Sequence, residues 1–122
     1  MSNTCYDDQM DYISSYRCML KSKGFTQREL MLSSLGQLQS ESSEVWGAAY
    51  KALAYDMKPS DRSSRIFSAY QELGDVVFCV NWVLAELNET FGWSVTLHEA
   101  IVMSNLSIQS KLEVVHDQTS AY

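Results

Sequence analysis

Apolar residues recur along the chain at the three- and four-residue spacing of a helix face, and no stretch alternates apolar and polar positions between hairpin turns. The pattern predicts four helices and an all-α class. The first is expected from about Asp7 to Lys23, with Gly24 as the favoured residue just past a helix end. Thr26-Gln27-Arg28-Glu29 is a capping box, in which Thr26 and Glu29 satisfy free amide donors reciprocally. It opens a second helix that continues through Gln37, Glu41, Glu44 and Lys51 to about Ala54. The polar segment around Pro59, from Asp56 to Ser64, reads as the one substantial loop, with Ser60 or Asp61 as the next N-cap. A third helix is expected from about Arg62 to Phe91, ending at Gly92. Its apolar positions, among them Leu73, Val76, Val77, Val80 and Leu84, cover more than one face and predict burial on several sides. A second capping box, Thr96-Leu97-His98-Glu99, starts a last helix reaching about Val115 and leaves Asp117 to Tyr122 as a frayed tail.

With 122 residues the chain is read as a single domain, 1–122, and its 46% apolar content decides against disorder. The formal net charge of −6, with scattered Lys and Arg, disfavours a nucleic-acid polymer as partner. An acidic protein still binds a small anion where a divalent cation reverses the local charge. Cys5, Cys18 and Cys79 show no C-x-x-C spacing and read as reduced thiols of a cytoplasmic protein. Met1 to Met10 holds Asp7 and Asp8 and no apolar segment of signal-peptide type. The run Val76 to Leu87 is too short and too interrupted to span a bilayer, so no membrane partner is expected.

Two acidic pairs share one internal spacing, Glu41-Ser42-Ser43-Glu44 and Glu72-Leu73-Gly74-Asp75. Residues three apart on a helix share a face, so each pair aims both carboxylates one way. If the two helices lie side by side, four carboxylates converge, and like charges so gathered are costly unless cations sit among them. Ligation by oxygen alone points to a hard ion, Mg²⁺ or Mn²⁺, and four carboxylates suit two or more ions shared with substrate phosphates. Gln37 lies one turn before Glu41, and Lys51 seven residues after Glu44 could meet a phosphate. Cys79 and Trp82 follow Asp75 at four and seven and could floor a base pocket, with Tyr12 and Tyr16 of the first helix as a cover. Core packing is the competing reading for the aromatic residues, and a solvated side chain for Lys51. Gly74, between two acids, suggests close approach by a neighbouring helix.

Glu41-x-x-Glu44, 27 intervening residues and then Glu72-x-x-Asp75 resemble the signature of the all-α nucleoside triphosphate pyrophosphohydrolases, the MazG-like group. The run Glu72-Leu73-Gly74-Asp75-Val76-Val77-Phe78 is similar to the family's E-L-G-D-hydrophobic stretch, and the likeness extends from about Leu35 to Asn105. At the first pair this chain has Ser42-Ser43 where Ala-Gly is frequent in the family. The resemblance implies a four-helix MazG-like bundle completed by oligomerisation into a homodimer or homotetramer. It also implies a metal-dependent conversion of a (d)NTP to (d)NMP and pyrophosphate in the cytoplasm, the host's if the chain is phage-encoded. Small phage-like members point to a purine deoxynucleotide such as dGTP. Glu41, Glu44, Glu72 and Asp75 would hold the metal, with Glu41 or Glu44 as the catalytic base. Gln37, Lys51, Trp82, Tyr16 and Asn105 would contact substrate, Asn105 by its match to a family asparagine.

Three other readings compete. A phosphoribosyl-ATP pyrophosphohydrolase would share the carboxylates. A non-catalytic helical interaction module would carry the same apolar stripes and treat the acids as surface. A di-iron bundle needs two Glu-x-x-His motifs, of which only Glu113-Val114-Val115-His116 is present.

Overall fold

The computed structural model describes residues 4–54 and 56–120, with side chains for 5–54 and 56–117. The described residues form four helices and no strand: α1 (Thr4–Ser22), α2 (Gln27–Ala54), α3 (Pro59–Phe91) and α4 (Leu97–Ser120).

Helix boundaries follow local chemistry. Gly24, at φ 93°, closes α1. Its amide donates to the Lys21 carbonyl at 2.9 Å, and the Phe25 amide to the Leu20 carbonyl at 3.1 Å, as in a Schellman motif. Both capping boxes form: the Glu29 amide donates to Thr26 Oγ1 at 3.2 Å, and the Glu99 amide to Thr96 Oγ1 at 3.1 Å. The loop expected over 56–64 is shorter than the sequence implies. Pro59 is the first residue of α3 after Lys58, so neither Ser60 nor Asp61 is the N-cap; a proline at that position has no amide to leave unpaired and its fixed φ suits a helix start. Helix α4 continues to Ser120 because the segment after Val115 contains no Gly or Pro to stop it. The last two residues of the expected tail, Ala121 and Tyr122, lie outside the described residues.

Helices α2 and α3 pack along their length as an antiparallel hairpin, and α1 lies against α3. Ile13 and Leu20 of α1, Leu30 of α2 and Trp82 of α3 form the buried cluster, with Met10, Tyr16, Phe25, Phe78 and Ala85 around it. Beneath it lies a buried charge. Glu86, fully shielded from solvent, is paired with Arg17 at 2.7 Å. Gln27 Nε2 and Trp82 Nε1 donate to the same carboxylate at 2.7 and 2.8 Å, so both of its oxygens are satisfied. Asn81 Nδ2 donates to Gln9 Oε1 and ties α1 to α3 a second time.

Two expectations about packing are corrected. Burial of α3 on several sides is only partial within one chain: Val76, Val80, Val83 and Leu84 are half-buried, whereas Leu73, Val77 and Leu87 are exposed, and Phe67 and Tyr70 at about 70%. Gly74 does not mark a close approach, since a Cβ there would meet nothing within 4 Å. Helix α4 is attached at its start, where Asn88 clasps the Val95 backbone through hydrogen bonds of 2.8 and 3.1 Å. From Ile101 to Asp117 every residue of α4 is exposed.

Candidate metal centre

The α2–α3 hairpin meets along a seam of alternating three- and four-residue steps, the spacing that keeps one helix face turned to a partner. On α2 the seam runs Gln27, Leu30, Ser34, Gln37, Glu41, Glu44, Ala48, Lys51; on α3, in the opposite direction, Glu86, Trp82, Cys79, Asp75, Glu72, Ser68, Arg65. At the end near α1 the seam is core, with Leu30 and Trp82 buried. Beyond Ser34 it turns polar, where a coiled hairpin would carry apolar knobs.

The four acids sit in this polar stretch. One carboxylate oxygen from each of Glu41, Glu72 and Asp75 lies within 4.8 Å of the other two. Glu41 Oε2 and Glu72 Oε2 are shut off from solvent and have no hydrogen-bond partner. Their electrostatics reflect this enclosure. Loss of solvent, then hydrogen bonding with Glu44 and the charges of Glu44, Asp75 and Glu72, push the Glu41 carboxyl from 4.5 to about 7. Glu72 is raised by loss of solvent first and then by Glu44 and Asp75, with a hydrogen bond to Glu41 opposing. Burial pushes the Cys79 thiol up, and the charges of Glu41 and Asp75 add to the rise. Glu44 is exposed and outside the close triad, yet after loss of solvent it is the neighbour that raises both Glu41 and Glu72 most, ahead of Asp75.

This donor set fits a hard divalent ion. It offers oxygen only, and two of its oxygens are enclosed acceptors with no donor, which a cation would satisfy. Glu41, Glu72 and Asp75 are the residues placed to share an ion.

Cavities flank the acids on both sides. One, of about 340 Å³, is lined by Tyr16, Gln37, Phe78, Cys79 and Trp82, with Glu41 and Asp75 at its edge. Trp82 is both core and wall: its ring is 2% exposed, and Tyr16 meets it edge-on at 5.1 Å and 77°. The other, also about 340 Å³, is lined by Glu44, Lys51, Arg65, Ser68 and Glu72. A hollow of about 400 Å³ between the end of α3 and the start of α4, lined by Leu84, Leu87, Phe91, Trp93 and Val95, carries no ionisable group.

Gln37, Tyr16, Trp82 and Lys51 thus border the acids, as their spacing suggests. Asn105 does not: it lies on the exposed length of α4 and lines neither cavity. Tyr12, 64% exposed, does not cover the aromatic cavity. The structure adds Arg65 beside the acids and the cluster of Arg17, Gln27 and Glu86 at the core end of the seam. The signal for Arg65 was its position seven residues before Glu72, and for Glu86 eleven after Asp75, both on the acidic stripe. Comparison of the chain with family profiles, with curated proteins and with solved structures finds no match.

Proposed function

We propose that the protein is a divalent-metal-dependent nucleoside triphosphate pyrophosphohydrolase of MazG-like type, active on a (d)NTP in the cytoplasm. The observation that carries this reading is the polar seam: enclosed, unpartnered carboxylate oxygens on two antiparallel helices, between an aromatic cavity and one that Lys51 and Arg65 line together with Glu44 and Glu72. Bound Mg²⁺ or Mn²⁺ would neutralise the phosphates and acidify a nucleophilic water. Glu41, Glu72 and Asp75 would hold the ions, which leaves Glu44, the acid outside the triad, as general base. Water oxygen attacks the α-phosphorus, its proton passes to Glu44, and the bond from that phosphorus to the bridging oxygen breaks. The electron pair leaves on pyrophosphate, and the nucleoside monophosphate remains. Gln37, Tyr16 and Trp82 border the space for the base. Incubation with a panel of nucleoside triphosphates and Mg²⁺ or Mn²⁺, with product analysis, tests the reading.

The working unit in this proposal is a homodimer or a higher symmetric oligomer, with α4 packed on a second copy. The accessible surface is 9160 Å², whereas a compact chain of 13.9 kDa exposes about 6,700 Å². The excess, about 2,500 Å² per chain and so about 5,000 Å² for a pair, lies at the upper end of what obligate homodimers bury. It is apolar where it matters: Ile101, Leu106 and Leu112 of α4, and Trp46 and Leu53 of α2, are exposed. None of the described helices is long and apolar enough to cross a membrane.

A further inference from the structure

Lys51 and Arg65 occupy facing positions on the seam, seven residues from Glu44 and Glu72 respectively, about 10 Å of helix rise beyond the acids. Both line one cavity with Ser68, and neither forms an ion pair among the described residues, although Glu44 and Glu72 border the same space. In a chain with 15 acids and nine bases, these two cations stand on opposite walls of one groove. Lysine brings a mobile point charge with three donors and arginine a planar fork of five, a pair suited to an anion with several terminal oxygens. The cavity on the other side of the acids has no cation and is walled by Tyr16, Phe78 and Trp82. A ligand with a flat ring at one end and a polyanion at the other therefore fits this groove in one direction only.

We infer that Lys51 and Arg65 form the seat of the leaving pyrophosphate and so set the direction of the bound nucleotide. The nucleoside lies toward Tyr16 and Trp82, the α-phosphate at the carboxylates, and the β- and γ-phosphates between Lys51 and Arg65. This assignment rests on the pyrophosphohydrolase reading and adds the specificity for triphosphates: a monophosphate ends before the cationic seat, and a diphosphate fills half of it. Each cation makes charge-assisted hydrogen bonds to the terminal phosphates, so loss of either weakens the polyanion and spares the monophosphate.

Calorimetric titration with magnesium pyrophosphate and separately with dGMP, on wild type, Lys51→Ala, Arg65→Ala and the double variant, tests the seat. Pyrophosphate binding should weaken about tenfold in each single variant and further in the double, with dGMP affinity unchanged; Arg65→Lys should recover part of the loss. Failure of wild type to bind pyrophosphate, equal binding by wild type and double variant, or equal weakening of both ligands would overturn the assignment. Thermal melts of each variant check the fold, which these exposed side chains should leave intact. The two proposals fail separately. Pyrophosphate seated by Lys51 and Arg65 without turnover of any triphosphate would reject the enzymatic reading alone; turnover with unchanged pyrophosphate binding in the variants would reject the seat alone.

Discussion

Trp82 Nε1 donates to Glu86 Oε2 at 2.8 Å, which couples the wall of the aromatic cavity to a buried carboxylate one helical turn away. Burial alone would raise the Glu86 carboxyl, but hydrogen bonds from Arg17, Gln27 and Trp82 outweigh it and hold it below its ordinary value. The ion pair thus fixes the tilt of the indole as well as joining α1 to α3. Removing one partner of such a pair strands a buried charge and costs about 3–5 kcal/mol. Arg17→Met is therefore expected to lower the melting temperature far more than Arg28→Met, which alters an exposed cation on the next helix. Equal melts for the two variants would contradict the role given to Glu86.

The converging acids make a prediction about stability without metal. Repulsion among Glu41, Glu44, Glu72 and Asp75 works against the folded state, so Glu72→Gln should raise the melting temperature in EDTA. The same change removes a ligand, so the increment that Mn²⁺ gives wild type, about 2.7 kcal/mol at a hundredfold excess over the dissociation constant, should be lost. Melts of both proteins with EDTA and with Mn²⁺ decide this, and equal responses to Mn²⁺ would remove Glu72 from the site.

The pH dependence has a defined sign. Glu41 is raised to about 7 in the fold from an ordinary 4.5, so between these values the folded protein holds a proton that the unfolded chain has released. Stability from this group is fully present below the unfolded value and is lost as pH rises through about 7. Glu72 adds in the same direction. In EDTA the melting temperature of wild type is expected to fall from pH 5 to pH 8, and Glu41→Gln to flatten that slope. A flat wild-type profile would mean that the acids do not crowd one another.

Assembly is tested through α4. Leu106→Glu and Leu112→Glu place charge on a face exposed in one chain, and if a second copy covers that face they should shift light-scattering mass toward the monomer. Wild type that scatters as a monomer at micromolar concentration would reject the proposed dimer.

Much of this arrangement was legible in the sequence because it rests on local rules. Both capping boxes and both helix-ending glycines fixed three of the four helices to within a few residues, and the E-x-x-E and E-x-x-D spacings placed each acidic pair on one face. The start of α3 is not legible in the same way, because a proline in a polar segment marks a loop and is equally at home at the first helical position, where Pro59 stands. Pairing across helices was the less accessible part. That Arg65 faces Lys51, or that Arg17 and Gln27 converge on Glu86, depends on the antiparallel register, which no single helix encodes. Asn105 fails in one chain for the related reason that α4, read as the fourth member of a bundle, finds no surface in its own chain to cover.

Hydrolysis of a nucleoside triphosphate in H₂¹⁸O with Mg²⁺ or Mn²⁺ tests the central claim most directly, because the position of the label reports which phosphorus is attacked. With dGTP first and the other triphosphates in turn, the expected products are an ¹⁸O-labelled monophosphate and unlabelled pyrophosphate, with Glu44→Gln slowed by orders of magnitude while its Mn²⁺ stabilisation persists. Release of orthophosphate and a diphosphate, label in the pyrophosphate, or no turnover of any triphosphate with either ion would contradict the account.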